Sequence, residues 1–195
     1  MEIRTNKIFL LVGNRGTGKT DFCKKLINHS ALPKKLVVDT FDSPVWQNMK
    51  TYDNLAGVNV PIPILSPEEL PSHKQGLYRT FSPNTRLLEE KVAQYCTNSL
   101  VILEDSTRYY KPMLTENQRI YLLNSKQKNV DFVLVFHYLS AVPPEIVKLA
   151  DYLTLFKTNE GFYDNKKWYQ PEIKTIFDHI KKSKNRFENI TIQLQ

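Results

Sequence analysis

The stretch KIFLLVGNRGTGKT (residues 7–20) decides how the rest of the chain is read. A short apolar run, IFLLV, is followed at once by three of the protein's six glycines, Gly13, Gly16 and Gly18. Glycine lets successive backbone N–H groups turn inward around an anion with no Cβ in the way. Gly13, Gly18, Lys19 and Thr20 meet the pattern G-x-x-x-x-G-K-[ST]. The expected arrangement is therefore a buried strand, a phosphate-binding loop, and a helix over 19–29 whose positive N-terminal end completes the anion site. Gly13, Asn14, Arg15, Gly16, Thr17, Gly18, Lys19 and Thr20 are expected to wrap the phosphates of ATP. Lys19 would reach the β- and γ-phosphates, and the Thr20 hydroxyl would ligate Mg2+.

Outward from that loop, apolar runs alternate with helix-like segments, the pattern of a parallel α/β sheet. KLVVDT (35–40) reads as a second strand ending near Asp39. Residues 58–72, VNVPIPILSPEELP and the serine after it, are proline-rich and suit a loop with short extended pieces better than a helix. QGLYRTF (75–81) reads as a strand, followed by a helix over 82–96 capped by Ser82 with Pro83 in its first turn. SLVILED (99–105) is a continuous apolar run ending in two acids, as buried parallel strands often do. Helical periodicity over 115–128, a buried strand over 130–138, a short helix from 143 and a strand over 151–157 follow. A helix near 171–184 and an edge strand over 188–194 close the chain. The fold class expected is α/β, three layers, with a mainly parallel central sheet flanked by helices, in one domain over 1–195 whose core spans about 5–158.

The 195 residues are enough for one domain with a real core. No apolar stretch approaches the roughly 18–20 residues of a membrane span, and the run before the loop is too short for a signal peptide. No membrane anchor is therefore expected. Cys23 and Cys96 lie far apart, which fits a reducing cytoplasm and no disulfide framework. His29, His73, His137 and His179 are scattered without metal-ligand spacing. The net charge of +7, with lysine clusters at 24–25, 34–35, 126–128, 166–167 and 181–186, points toward a polyanionic partner without demanding one.

A phosphate loop that hydrolyses ATP needs a carboxylate on the metal side and a group that orients the attacking water. Glu104 and Asp105 supply both at one strand tip, where the chain is already turning. Position favours Glu104 as the metal-side acid and Asp105 as the water-orienting one, and the exchanged assignment stays open, as does a shared metal role for both. His137, ending the next apolar run, is the third catalytic candidate, as a sensor of the γ-phosphate. Asp39 ends a strand at the same edge and either supports the loop or begins a turn.

The order GNRGTGKT, LVVDT, LVILEDSTRYY and SKQKNVDFVLVFHYLSAVPPEIVKLADYLTLFK resembles the FtsK–HerA superfamily of P-loop ATPases. Within it the chain looks most like small viral and phage genome-packaging ATPases and the zonula occludens toxin-like assembly proteins. The resemblance covers about residues 5–158, and its last phrase, AVPPEIVKLADYLTLF (141–156), is one the phosphate loop alone says nothing about. It implies a homo-oligomeric ring acting on double-stranded DNA, docking on a capsid or portal protein, in the host cytoplasm or with the virion. It also implies ATP bound between subunits and a neighbour's basic residue completing each site. By position that residue is Lys126, beside Lys128; lysine lacks the planar fork of arginine, so Arg108 and Arg119 are the alternatives. Arg15 would stand near the γ-phosphate at the subunit boundary. The acids here run E-D where D-E is usual. Two other functions fit the loop: an assembly or export ATPase of the zonula occludens toxin type, which commonly carries a membrane anchor, and a nucleotide-type kinase, which should show an arginine-rich lid. A slow nucleotide-dependent switch is the remaining alternative.

Overall fold

The computed structural model describes residues 6–39, 41–53, 58–162, 168 and 170–194. In chain order the elements are β1 (Ile8–Val12), α1 (Lys19–His29), β2 (Lys34–Val38), α2 (Pro44–Gln47), β3 (Lys50–Asp53), β4 (Val58–Pro61) and β5 (Ile64–Leu65). They continue as β6 (Gly76–Thr80), α3 (Thr85–Tyr95), β7 (Ser99–Leu103), α4 (Glu116–Leu123), α5 (Ser125–Lys128) and β8 (Val130–Phe136). The chain ends with α6 (Pro144–Leu149), β9 (Tyr152–Phe156), α7 (Pro171–Lys182) and β10 (Asn189–Gln193).

Eight strands form one sheet in the order β10-β9-β1-β8-β7-β2-β6-β5, while β3 and β4 pair apart from it. Every pairing in the large sheet is parallel except β9 with β10. The central strands are apolar on both faces because helices cover both. Leu10, Phe132, Leu134 and Phe136 belong to one core, with Leu88 and Val92 of α3 and Ile173, Phe177 and Ile180 of α7. Leu11, Val133 and Val135 belong to the other, with Cys23 and Ile27 of α1 and with Trp46. The result is the three-layer α/β arrangement expected.

Three local expectations change. The helix of residues 82–96 begins later, at Thr85. Asn84 is its N-cap, with the side-chain oxygen accepting from Leu87 N at 3.1 Å. Ser82 Oγ instead accepts from Asn84 N at 3.1 Å, so Ser82 and Pro83 form the turn that leads in. The helical stretch at 115–128 is two pieces, broken at Asn124. Residues 58–72 do contain short extended pieces, and also a 3-10 turn over Pro67–Ser72 closed by a Ser66–Glu69 capping box. The lysine pair at 166–167 lies outside the described residues. No helix among the described residues is long and apolar enough to cross a membrane.

Candidate active site

Parallel strands aim their carboxyl ends at one edge, and there the expected groups collect. Val12 of β1 pairs with Phe136 of β8, so Gly13 and His137 leave the sheet side by side. Leu103 of β7 pairs with Val38 of β2, which places Glu104 next to Asp39. A cleft of about 430 Å3 opens above this edge, and Arg15, Thr20, Asp39, Glu104, Asp105 and His137 all line it.

The loop geometry explains its glycines. Gly16 and Gly18 adopt φ of +70° and +96°, left-handed conformations that side chains rarely take. At Gly13 the need is space, since a Cβ would lie 2.6 Å from Cβ of Phe156 in the adjacent strand. Gly13 N donates to Phe136 O at 3.2 Å and Asn14 N to Lys157 O at 2.9 Å, tying the loop to both neighbouring strands. Thr17 Oγ1 donates to Asn14 O at 2.8 Å and closes the loop on itself.

Lys19 is buried, and its ammonium donates to the carbonyls of Gly13 and, at 2.7 Å, Asn14. Burial pulls its pKa down to about 8, against the opposing pull of Glu104. Thr20 Oγ1 donates to Glu104 Oε1 at 3.3 Å. The same Glu104 oxygen accepts from the indole N–H of Trp46 at 3.0 Å. Burial raises the Glu104 pKa, and the Trp46 donor and the Lys19 charge act the other way.

Two adjacent acids reach one cleft because the chain reverses at Asp105, whose φ is +50°. The turn is pinned by buried Ser106, whose hydroxyl donates to Leu103 O at 3.0 Å and accepts from Val135 N at 3.1 Å. Asp105 bonds the Thr107 hydroxyl and lies 3.7 Å from Nε2 of His137. Burial, and then the Lys19 charge, lower the His137 pKa, so the imidazole is neutral at pH 7.

Of the two roles open to Asp39, the structure gives it the turn, the one that leads into residues 41–47. Asp39 is buried, accepts from Ser43 N at 2.8 Å and pairs with buried Arg79 at 3.2 Å. Arg79 also bonds Asp42. This network fixes residues 41–47, and with them Trp46. Neither Trp46 nor Arg79 stands out in the sequence, since each meets its partner only through the fold.

The three candidate trans-acting residues lie apart from one another. Lys126 is exposed on α5, before β8, at the sheet edge opposite the loop. Arg119 is exposed and forked onto the Glu145 carboxylate at 2.8 and 3.0 Å. Arg108 is exposed, with its guanidinium 5.1 Å from the centre of the Phe41 ring.

For a divalent ion, the nearby Thr20 hydroxyl and Glu104 carboxylate are oxygen donors of the hard kind that Mg2+ takes. Among the described residues no group of three His, Cys, Asp or Glu could hold a metal. A Mg2+ held mainly by water and phosphate oxygens needs no such group.

No family model and no curated protein matches the chain. Solved structures do. The genome packaging NTPase B204 from Sulfolobus turreted icosahedral virus 2 in complex with AMPPCP has a TM-score of 0.70 at 15% identity, covering 97% of this chain and 93% of that one. Its sulfate complex gives 0.69 at 16%, covering 100% and 94%. B204, the DNA-packaging ATPase from Sulfolobus turreted icosahedral virus, gives 0.65 at 15%, covering 98% and 94%. At such identities the likeness is one of fold, and the fold is that of the P-loop NTPases.

Proposed function

We propose that this chain is a Mg2+-dependent ATPase that works as a ring-forming motor on double-stranded DNA and packages a viral genome. The observation that carries the reading is the grouping of Lys19, Thr20, Glu104, Asp105 and His137 at one sheet edge, around a loop shaped for phosphate.

Each side chain then has a task set by its surroundings. Backbone N–H groups of the loop and of the first turn of α1 hold the phosphates of ATP. Lys19 exchanges its bonds to the Gly13 and Asn14 carbonyls for phosphate oxygens. Mg2+ held by Thr20, with Glu104 behind it, would neutralise charge on the transferring phosphoryl group. Asp105 orients the attacking water and draws off its proton. His137, neutral and 3.7 Å from Asp105, senses whether the γ-phosphate is present.

The resemblance read in the sequence and the fold shared with packaging NTPases favour a motor over other users of this loop. A net charge of +7 suits phosphate contacts that hold DNA without reading its sequence. Lys126, Arg108 or Arg119 would complete a neighbour's site in the ring, and a capsid or portal protein would be the docking partner. The test is phosphate release from Mg-ATP with and without double-stranded DNA, beside a native mass measurement. DNA-stimulated release from a multimer is expected. A monomer that transfers phosphate to a nucleoside monophosphate would overturn the reading.

A further inference from the structure

The acids and His137 stand on the β7–β8 side of Gly13, where the γ-phosphate is placed above. The other side of the loop faces β9 and β10. There the turn between α7 and β10 closes on the loop. A Cβ at Gly16 would overlap the Arg186 guanidinium, and one at Gly18 would lie 3.6 Å from Cδ1 of Phe187. Two consecutive side chains from the far end of the sequence thus lie against the phosphate loop at Gly16 and Gly18.

The turn is built to hold them. Ser183 Oγ donates to the Glu188 carboxylate and accepts from Asn185 N at 3.0 Å. Asn185 Oδ1 accepts from Phe187 N at 3.0 Å, and Glu188 Oε1 lies 2.9 Å from Nε2 of His179. Lys157 connects this turn to the phosphate loop. Its ammonium donates to Ser183 O, while its own carbonyl accepts from Asn14 N at 2.9 Å. β10 then runs on as the antiparallel edge strand.

On that fixed turn Phe187 is 61% exposed, so its ring is not there to fill a core. A flat apolar face, a cation beside it and a phosphate loop beneath form one surface. That surface matches a nucleotide, whose base offers a π-face and whose phosphates carry the charge.

We propose that Phe187 is the stacking platform for the base of the bound nucleotide and that Arg186 is a cation for its phosphates. The proposal rests on the nucleotide-binding reading and adds the base side of that site. Stacking tolerates any base, so the platform contributes affinity more than choice of nucleotide.

The test is calorimetric titration of the full chain with Mg-ATP and, separately, with inorganic tripolyphosphate, which has no base. Phe187→Ala is expected to weaken ATP about tenfold and to leave tripolyphosphate within about twofold. Phe187→Trp should restore ATP affinity, and Arg186→Ala should weaken both ligands. The proposal is overturned if Phe187→Ala binds ATP as the wild type does, or if it loses both ligands equally. A wild-type protein that binds neither ligand would overturn the nucleotide reading itself, which is a separate result.

Discussion

The indole N–H of Trp46 donates to Glu104 Oε1 over 3.0 Å, joining residues 58 positions apart in the chain. Trp46 belongs to α2 and Glu104 follows β7, so this bond ties the loop after β2 to the acid at the neighbouring strand tip. The same oxygen takes the Thr20 hydroxyl, which fixes where that carboxylate stands relative to the phosphate loop.

Trp46→Phe keeps most of the ring volume and removes the donor. A hydrogen bond to a charged group contributes about 1.5–3 kcal/mol. ATP turnover should fall about tenfold or more, with stability lowered by a similar few kcal/mol and nucleotide affinity changed less than about twofold. Steady-state phosphate release and urea unfolding measure both. Unchanged turnover would mean that the indole does not position Glu104.

Lys19 gives a pH dependence of definite sign. Its folded pKa, about 8, lies below the ordinary value of 10.5. Between those values the unfolded chain holds a proton that the folded one lacks, so stability without ligand rises with pH across that window. The whole step is about 3 kcal/mol. Phosphate favours the ammonium, so ATP affinity should fall above pH 8, approaching tenfold per pH unit. Titrations from pH 7 to 9.5 would show this, and a flat profile would refute it.

Asp39 and Arg79 are both buried, and the pair is expected to matter for folding more than for chemistry. Arg79→Leu leaves a buried carboxylate without its cation and should cost about 3–5 kcal/mol in denaturant unfolding. Adding Asp39→Asn should recover much of that loss. A single variant as stable as the wild type would contradict the role given to this pair.

The phosphate loop is legible in the sequence because its geometry demands glycines at fixed spacing, and two of them do adopt left-handed φ. β1, β7 and β8 are legible because each is a run of apolar residues between polar ends. Their carboxyl ends share one edge in any parallel sheet, so Glu104, Asp105 and His137 are legible as one group from the sequence. The cap at Asn84 was harder to read, because Ser82, Asn84 and Thr85 are all competent caps and only backbone torsions choose among them. Trp46 and Arg79 are not legible in the sequence. Their partners lie 58 and 40 residues away, and no local spacing records such a contact. Arg186 is legible only as the end of the basic cluster at 181–186 and Phe187 is not legible at all, because their relation to Gly16 and Gly18 depends on an antiparallel strand at the sheet edge.

His137 offers a second pH test. Burial and the Lys19 charge hold its folded pKa below the ordinary 6.5. Its contribution to stability is therefore complete above that value and is lost as pH falls below it. His137→Gln keeps a hydrogen-bonding side chain and removes the titration. Turnover should drop about tenfold at pH 7.5, the scale of one hydrogen bond to a charged phosphate lost with the imidazole. The acid limb of the rate profile should also move to lower pH. An acid limb identical to that of the wild type would assign it to a carboxylate such as Glu104.

The central claim is that the loop at 13–20 binds ATP for hydrolysis and that DNA draws on that hydrolysis. The direct measurement is phosphate release from Mg-ATP by the wild type and by Lys19→Ala, each with and without double-stranded DNA, with circular dichroism to confirm that both are folded. The account predicts turnover by the wild type that rises with DNA, and none by folded Lys19→Ala. Retained turnover in the folded variant, or a wild type that releases no phosphate under either condition, would contradict it.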